Sequence, residues 1–148
     1  TVANLARKLA ASAYRPPDSA LSSSLQKIKY DQYRDIRYDP KRAIWRGTSS
    51  PFQLQFFHRG FFFKERVDIS LVEDGRAAPV VYSPKQFTFG SAPTPTESDL
   101  DYAGFRIHSQ LNSPDYFDEI CAFLGASYFR AVAKGQVLGL SARGLASI

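Results

Sequence analysis

The spacing of hydrophobic and polar positions along this chain of 148 residues changes once, near Phe52. Before that point Val2, Leu5, Ala6, Leu9 and Ala13 recur at helical spacing, which predicts an amphipathic helix over residues 2–13. Pro16-Pro17 ends it, because proline restricts the residue before it and donates no backbone hydrogen bond. Ser19 or Ser22 is placed to cap a second short helix over residues 20–27. Tyr30 and Tyr33 suit a helical turn, whereas Ile36 and Tyr38 suit the start of a strand.

From Phe52 the period is two. Phe52, Leu54 and Phe56 alternate with Gln53 and Gln55, and Val67, Ile69 and Leu71 with Asp68 and Ser70. Gly60 marks a turn. Asp74-Gly75 carries a hairpin signal, with Val80-Val81-Tyr82 as the returning strand. Phe87-Thr88-Phe89 follows. Residues 91–99, rich in Pro, Ser and Thr, read as a surface loop. Phe105-Arg106-Ile107-His108 alternates again, residues 119–124 read as a buried strand, and residues 128–132 and 137–140 as two more. About eight short strands at this spacing imply a mainly β fold, a sandwich or barrel, with a helical N-terminal arm. The arm is expected over residues 1–30 and the strands over 36–148, within one domain. The last strand-like run ends at the chain's end, so the natural chain is expected to continue and this piece to be poorly stable alone.

Composition narrows the chemistry. Hydrophobic residues at 44% and charged residues at 22% are ordinary for a globular domain. Aromatics reach 14%, which favours strands and stacking surfaces. The net charge of +5 permits anionic partners, but the basic residues are scattered among acids rather than in blocks. A nucleic-acid-binding β domain is therefore a distant alternative, and no nucleic-acid partner is assigned. No apolar run is long enough to insert in a membrane. The lone Cys121 sits in an apolar run and reads as a small buried hydrophobe. His58, His108 and Cys121 have no metal-ligand spacing, so no metal and no cofactor is expected.

Residues 139–144 resemble a nucleophile elbow but place Arg143 where its second glycine belongs. Asp99, Asp101, Asp115, Asp118 and Glu119 read as turn formers or solvated charges, and no catalytic residue is assigned among them. Trp45 beside Arg46 reads mainly as core. Tyr128, Arg130 and Arg143 are the better polar candidates. They lie in two glycine-bounded apolar runs, where a guanidinium needs a partner. On a strand Tyr128 and Arg130 share one face, the combination that stacks a sugar ring and donates to its hydroxyls. The alternative is an arginine paired with an internal carboxylate, and both readings stay open.

Six segments in order along the chain carry a resemblance: Val2-Ala3-Asn4-Leu5-Ala6, Tyr30-Asp31-Gln32-Tyr33-Arg34-Asp35, Phe52-Gln53-Leu54-Gln55-Phe56, Tyr102-Ala103-Gly104-Phe105-Arg106, Leu124-Gly125-Ala126-Ser127-Tyr128-Phe129-Arg130 and Gly139-Leu140-Ser141-Ala142-Arg143-Gly144. Together they resemble the N-terminal part of the periplasmic glucan biosynthesis proteins G and D, the MdoG-type family. The resemblance implies a galactose-mutarotase-like β-sandwich, a periplasmic location and a β-glucan polysaccharide as partner. It also implies that some members cleave β-1,2-glucan with inversion, using acids beyond residue 148, while a non-enzymatic glucan-binding or assembly factor is the alternative. It assigns no oligomeric state.

Overall fold

The computed structural model describes residues 2–16, 20–125 and 129–136. Three helices come first: α1 (Val2–Ala10), α2 (Ser23–Gln26) and α3 (Tyr30–Asp35). Ser22 caps α2 by accepting from the Leu25 amide, and the Gln32 side chain caps α3 by accepting from the Lys29 amide. Among the described residues eight strands follow: β1 (Arg37–Tyr38), β2 (Phe52–His58), β3 (Ser70–Glu73), β4 (Arg76–Pro79), β5 (Phe87–Thr88), β6 (Tyr102–Ser109), β7 (Asp118–Leu124) and β8 (Phe129–Ala131). The chain is mainly β, as its period-two pattern predicts, and the helical arm precedes the strands.

An antiparallel sheet in the order β2-β6-β7-β8 forms the platform of the fold. The ribbons β1-β5 and β3-β4 complete the strand pairing among the described residues. One face of the platform carries Leu54 and Phe56 of β2 and Tyr102 of β6, and the β1-β5 ribbon sets Tyr38 and Phe87 against them. These five side chains are the main core. Phe56 stacks on Tyr102 with ring centroids 4.4 Å apart, and Tyr38 meets Phe56 and Phe87 edge-on. Phe105, Phe123 and Phe129 continue the same face as a stacked row over β6, β7 and β8.

Two buried charges fasten the N-terminal segment. Arg59, 3% exposed, donates to the carbonyls of Lys64, Ser98 and Ala20. Asp99, fully buried, accepts from the Ser22 amide at 2.5 Å and from the amide and hydroxyl of Thr96, both at 2.8 Å. Burial pushes the Asp99 carboxyl up, but these donors outweigh it and hold it below its ordinary value. The reading of residues 91–99 as a plain surface loop, and of Asp99 as a solvated charge, is thereby corrected. The loop's last turn, Glu97–Asp99, dips inward to satisfy three donors.

Other corrections concern boundaries. The first helix stops at Ala10, not at residue 13. The hairpin turns at Asp74-Gly75, both with positive φ, and this tight closure pairs Glu73 with Arg76. Its return strand is therefore Arg76–Pro79, one step before the predicted Val80-Val81-Tyr82. Tyr82 instead leaves the ribbon and packs on Phe87 and Tyr102. Val67 gives its amide to Tyr102 rather than to the hairpin. The strand β7 is half-buried except at Ala122, because only one of its faces meets the core. Cys121 is likewise half-buried; burial first and Glu119 second push its thiol up, which disfavours the thiolate. Trp45 is half-buried against the core, in line with the core reading.

Gly104 sets how β6 and β7 meet. Its φ is +154°, and a Cβ there would lie 2.0 Å from the Phe123 carbonyl oxygen and 3.0 Å from Leu124 Cα. Backbone cannot move aside as a side chain can. Gly104→Ala in the full-length protein is therefore expected to cost about 3 kcal/mol or more. Gly47→Ala, at φ +76° with nothing within 4 Å, shows the cost of a milder left-handed dihedral without any close approach. Denaturant midpoints of both variants check this; equal losses would show that the close approach does not matter.

The Asp99 anchor gives a pH signature. A carboxylate whose folded pKa is depressed contributes stability that is present above the unfolded value, about 3.9, and lost as pH falls through the folded value. Asp99→Asn should cost about 1–3 kcal/mol at neutral pH and should flatten the loss of stability below about pH 5. Melting curves across the acid range test this. An acid limb as steep as the wild type's would remove Asp99 from the account.

Candidate functional site

The face of the platform opposite the aromatic core is polar. Directly paired residues share a face, so Gln55 of β2, Arg106 of β6, Ala122 of β7 and Arg130 of β8 stand in one row across the sheet. Strict alternation would put Glu119 on the other side. The register shifts between Ile107 and His108, so Ile107 pairs with Cys121 but His108 pairs with Glu119. Ile120 is the extra residue of a β-bulge, and the bulge turns Glu119 onto the guanidinium face.

Glu119 then joins the row. Its Oε2 lies 3.4 Å from Arg106 Nη1, and its Oε1 accepts from Arg130 Nη2 at 2.6 Å. Arg106 Nη2 donates to Gln55 Oε1 at 2.9 Å, and its guanidinium lies 5.4 Å from the centre of the Phe57 ring. The four polar side chains form one continuous chain of contacts over four strands. Arg106 Nε is buried with no partner, and so is Nε2 of the neighbouring His108. Burial first, then Arg106, pushes the His108 imidazole down, which keeps it neutral.

Arg106, Glu119, Ala122 and Arg130 of this row line a groove of about 890 Å³. Its far wall is α3 with the β1 segment, which brings Tyr30, Arg34, Arg37 and Asp39. Arg34 lies 5.8 Å from the centre of the Tyr30 ring. The wall is tied to the platform, because Tyr33 of α3 donates its hydroxyl to the His58 carbonyl at 3.0 Å. Phe57 and Phe63 add aromatic surface to the lining. The groove thus offers rings for stacking, guanidinium donors, and a size in the usual range for ligand clefts.

Of the three sequence-predicted residues, Arg130 lines this groove. Tyr128 and Arg143 lie outside the described residues. Arg130 combines the two readings left open: one nitrogen is paired with Glu119, while its side chain is 47% exposed. Glu119 is not a turn former or solvated charge, since both its oxygens meet arginines. Arg106, Gln55, Arg34 and Arg37 were missed by sequence reasoning. A charged residue alternating with Phe105 and Ile107 in a strand was the available signal for Arg106. Nothing in the sequence announced the bulge that recruits Glu119. Among the described residues no three His, Cys, Asp or Glu side chains come together as metal ligands. No helix there is long and apolar enough to cross a membrane.

The row makes a stability prediction. Glu119 has 20% of its side chain exposed, against 47% for Arg130. Glu119→Gln weakens both ion pairs and should cost about 1–2 kcal/mol, whereas Arg130→Gln should cost under about 1 kcal/mol. Denaturant titration of the full-length variants measures both. A larger loss for Arg130→Gln would mean that Glu119 is not the hub.

The family described as periplasmic glucan biosynthesis protein, MdoG, matches residues 1–147 of this chain. Among curated relatives, glucans biosynthesis protein G of Rhodopseudomonas palustris is 56% identical over 144 residues, which cover 97% of this chain. The protein of the same name from Bradyrhizobium diazoefficiens is 55% identical over 98% of the chain, and that from Vibrio cholerae 51% over 99%. The chain spans between 27% and 29% of the length of these relatives.

Proposed function

This chain belongs to the MdoG family of periplasmic glucan biosynthesis proteins, and from that membership we propose that the whole protein works in the periplasm in making glucans, with the groove described above as part of its glucan-contacting surface. The described strands are then the first part of a galactose-mutarotase-like β-sandwich. The polysaccharide is a β-1,2-linked glucan backbone, which the protein handles or trims. The observation that carries the assignment of the groove is the Arg106-Glu119-Arg130 row with the Phe57 ring on one side of the groove and the Tyr30 ring on its far wall. A pyranose needs an apolar face to stack on and donors for its hydroxyls, and both are present.

The contribution proposed for this part is glucan binding. Inverting hydrolysis requires two carboxyl groups facing one glycosidic bond. Glu119 spends both oxygens on guanidiniums, and Asp39 spends its own on the Lys41 amide and Arg42. Both are thus engaged in contacts within the protein. We assign no catalytic acid among the described residues that line this groove, and the resemblance places the family's acids beyond residue 148. Incubating the full-length protein with linear β-1,2-glucan and sizing the products separates a glucanase from a binding or assembly factor. Insensitivity of that binding to salt separates both from a phosphate-reading nucleic-acid binder.

Arg130 is the residue to test. Arg130→Lys keeps the charge but loses the planar fork. In the full-length protein, affinity for linear β-1,2-glucan should fall about 10-fold with the melting temperature unchanged, the loss of one charge-assisted hydrogen bond. Calorimetric titration and thermal melting on the same preparation decide it. Lower stability with normal glucan binding would make Arg130 fold architecture and remove it from the site.

A further inference from the structure

His58 stands where the platform meets the helical wall. It is the last residue of β2, and the chain passes from it directly to Arg59. Its carbonyl receives the Tyr33 hydroxyl at 3.0 Å, the tie that holds α3 to the platform. Its Nδ1 donates to the Arg59 carbonyl at 2.7 Å, and the Arg59 guanidinium grips the carbonyls of Ala20, Lys64 and Ser98. A carbonyl only accepts, so the one proton of the neutral ring sits on Nδ1. The rest of the ring is caged. Tyr82, Phe87 and Phe89 meet it edge-on with ring centroids 5.5, 5.3 and 5.2 Å away. Nε2 is buried and has no hydrogen-bond partner among the described residues.

A second proton has to enter at Nε2, where rings stand in place of an acceptor. The charged groups around the cage do not supply one. Asp99 and Asp101 face His58 from the segment before β6, and their field favours the imidazolium. Asp99 is occupied by the Ser22 amide and by Thr96, and Asp101 by the Tyr102 amide and Arg66. Arg59 opposes the added charge, and burial opposes it most, so the imidazole lies below its ordinary value. Tyr33, Tyr82 and Tyr102 add only hydroxyls that burial keeps protonated. An imidazolium is therefore at home only outside the cage. To reach water the ring must part from Tyr82 and Phe89 and give up its hold on the Arg59 carbonyl, and the backbone that receives Tyr33 moves with it. We propose that His58 is an acid-sensitive latch, whose protonation expels the ring from its aromatic cage and frees α2 and α3 from the platform, so that the far wall of the groove is fixed at neutral pH and loosens in acid. The inference uses contacts of the fold alone and holds whatever ligand the groove takes.

The sign follows from linkage. A histidine held neutral by the closed wall gains a proton when the wall opens. The closed form is favoured above the ordinary histidine value of about 6.5 and loses ground as pH falls below it, by up to about 10-fold in the opening constant per pH unit for one proton. Asp99 acts lower, below about pH 5, so the two groups separate by window.

Amide hydrogen exchange of the full-length protein, corrected for the intrinsic effect of pH on exchange, reads the opening. Between about pH 7.5 and about pH 5.5, peptides spanning α2 and α3 should lose about 10-fold in protection while those of β6 and β7 keep theirs. His58→Gln retains a donor for the Arg59 carbonyl and cannot become charged, and His58→Phe fills the cage with another ring. In whichever of these is folded at neutral pH, the acid response of α2 and α3 should vanish. His108→Gln, which removes the other buried histidine, should keep it. Exchange at the imidazole C2 position of the wild-type protein gives the titration of His58 without any substitution, and its midpoint should lie below about 6.5. A wild-type wall whose protection does not change over this range overturns the inference. So does an equal loss in β6 and β7, which would be general unfolding, or a response that survives in the His58 variants or vanishes in His108→Gln. A His58 midpoint at or above the ordinary value overturns it as well.

Discussion

The contact on which the rest of the platform depends is the approach of the Gly104 backbone to the Phe123 carbonyl. No side chain fits between them, since a Cβ at residue 104 would overlap that oxygen. This lets β6 and β7 pair from Gly104 and Leu124 at one end to Ser109 and Asp118 at the other. The strand β6 is the hub of the sheet, flanked by β2 on one side and β7 on the other. Its register fixes where Arg106 stands relative to Gln55 and to Ala122. A shift of one residue would exchange the two faces, moving the aromatic row into the groove and the arginines into the core.

Two bulges convert that register into a two-faced sheet. Between Phe57 and His58 the pairing skips Ala103, so Tyr102 joins Phe56 on the core face instead of following Gly104 and Arg106. At Ile120 the pairing slips again, and Glu119 joins the arginines. One bulge supplies the stacked ring that anchors the core, and the other supplies the carboxylate that holds the polar row together. Without Glu119, Arg106 and Arg130 would face each other across β7 with no intervening negative charge. The carboxylate between them turns repulsion into a chain of ion pairs, at the cost of partly desolvating three charges. The stacked rings of Phe105, Phe123 and Phe129 on the reverse face help to carry that cost by holding the same three strands together.

What the sequence made legible follows from the range of the forces involved. The helical arm, the alternation of Phe52, Leu54 and Phe56, and the Asp74-Gly75 turn are local, since each depends on dihedral preferences and periodicity within a few residues. The pairing of β1 with β5 joins Arg37 to Thr88 and leaves no local trace. The bulges are invisible to a period-two reading because they are departures from it. That is why Tyr102 and Glu119 change faces and why Glu119 looked like a surface charge. Asp99 was misread for a similar reason. In its own neighbourhood it is one acid in a Pro- and Ser-rich loop, and only the Ser22 amide, far away in sequence, shows why it is buried. Arg130 was found because a lone guanidinium in an apolar run is a local anomaly, whereas its partner was not. Family resemblance bridged part of this gap, but it carried the identity of the chain rather than the geometry of the row.

The groove is wide because its two walls come from distant parts of the chain, and it is defined because buried polar anchors hold those walls. The wall of α3 and β1 has few regular hydrogen bonds to the platform. It is fixed by the Tyr33 hydroxyl on the His58 carbonyl, by the Tyr38 ring against Phe56, and by Arg59 and Asp99, which grip the backbone at Ala20 and Ser22 just upstream. Each anchor places a polar group where leaving it unpaired would be expensive, so the wall has few alternative positions. His58 contributes from the core side. Burial pushes its imidazole down, so it stays neutral, with Nδ1 donating to the Arg59 carbonyl at 2.7 Å, and it adds no charge to repel Arg59. A cleft held in this way is largely formed before a ligand arrives, and binding spends little free energy on ordering the protein. The positions of the arginines on both walls are then properties of the folded chain itself, set by the Glu119 pairs on the platform and by the Tyr33 tie on the far wall.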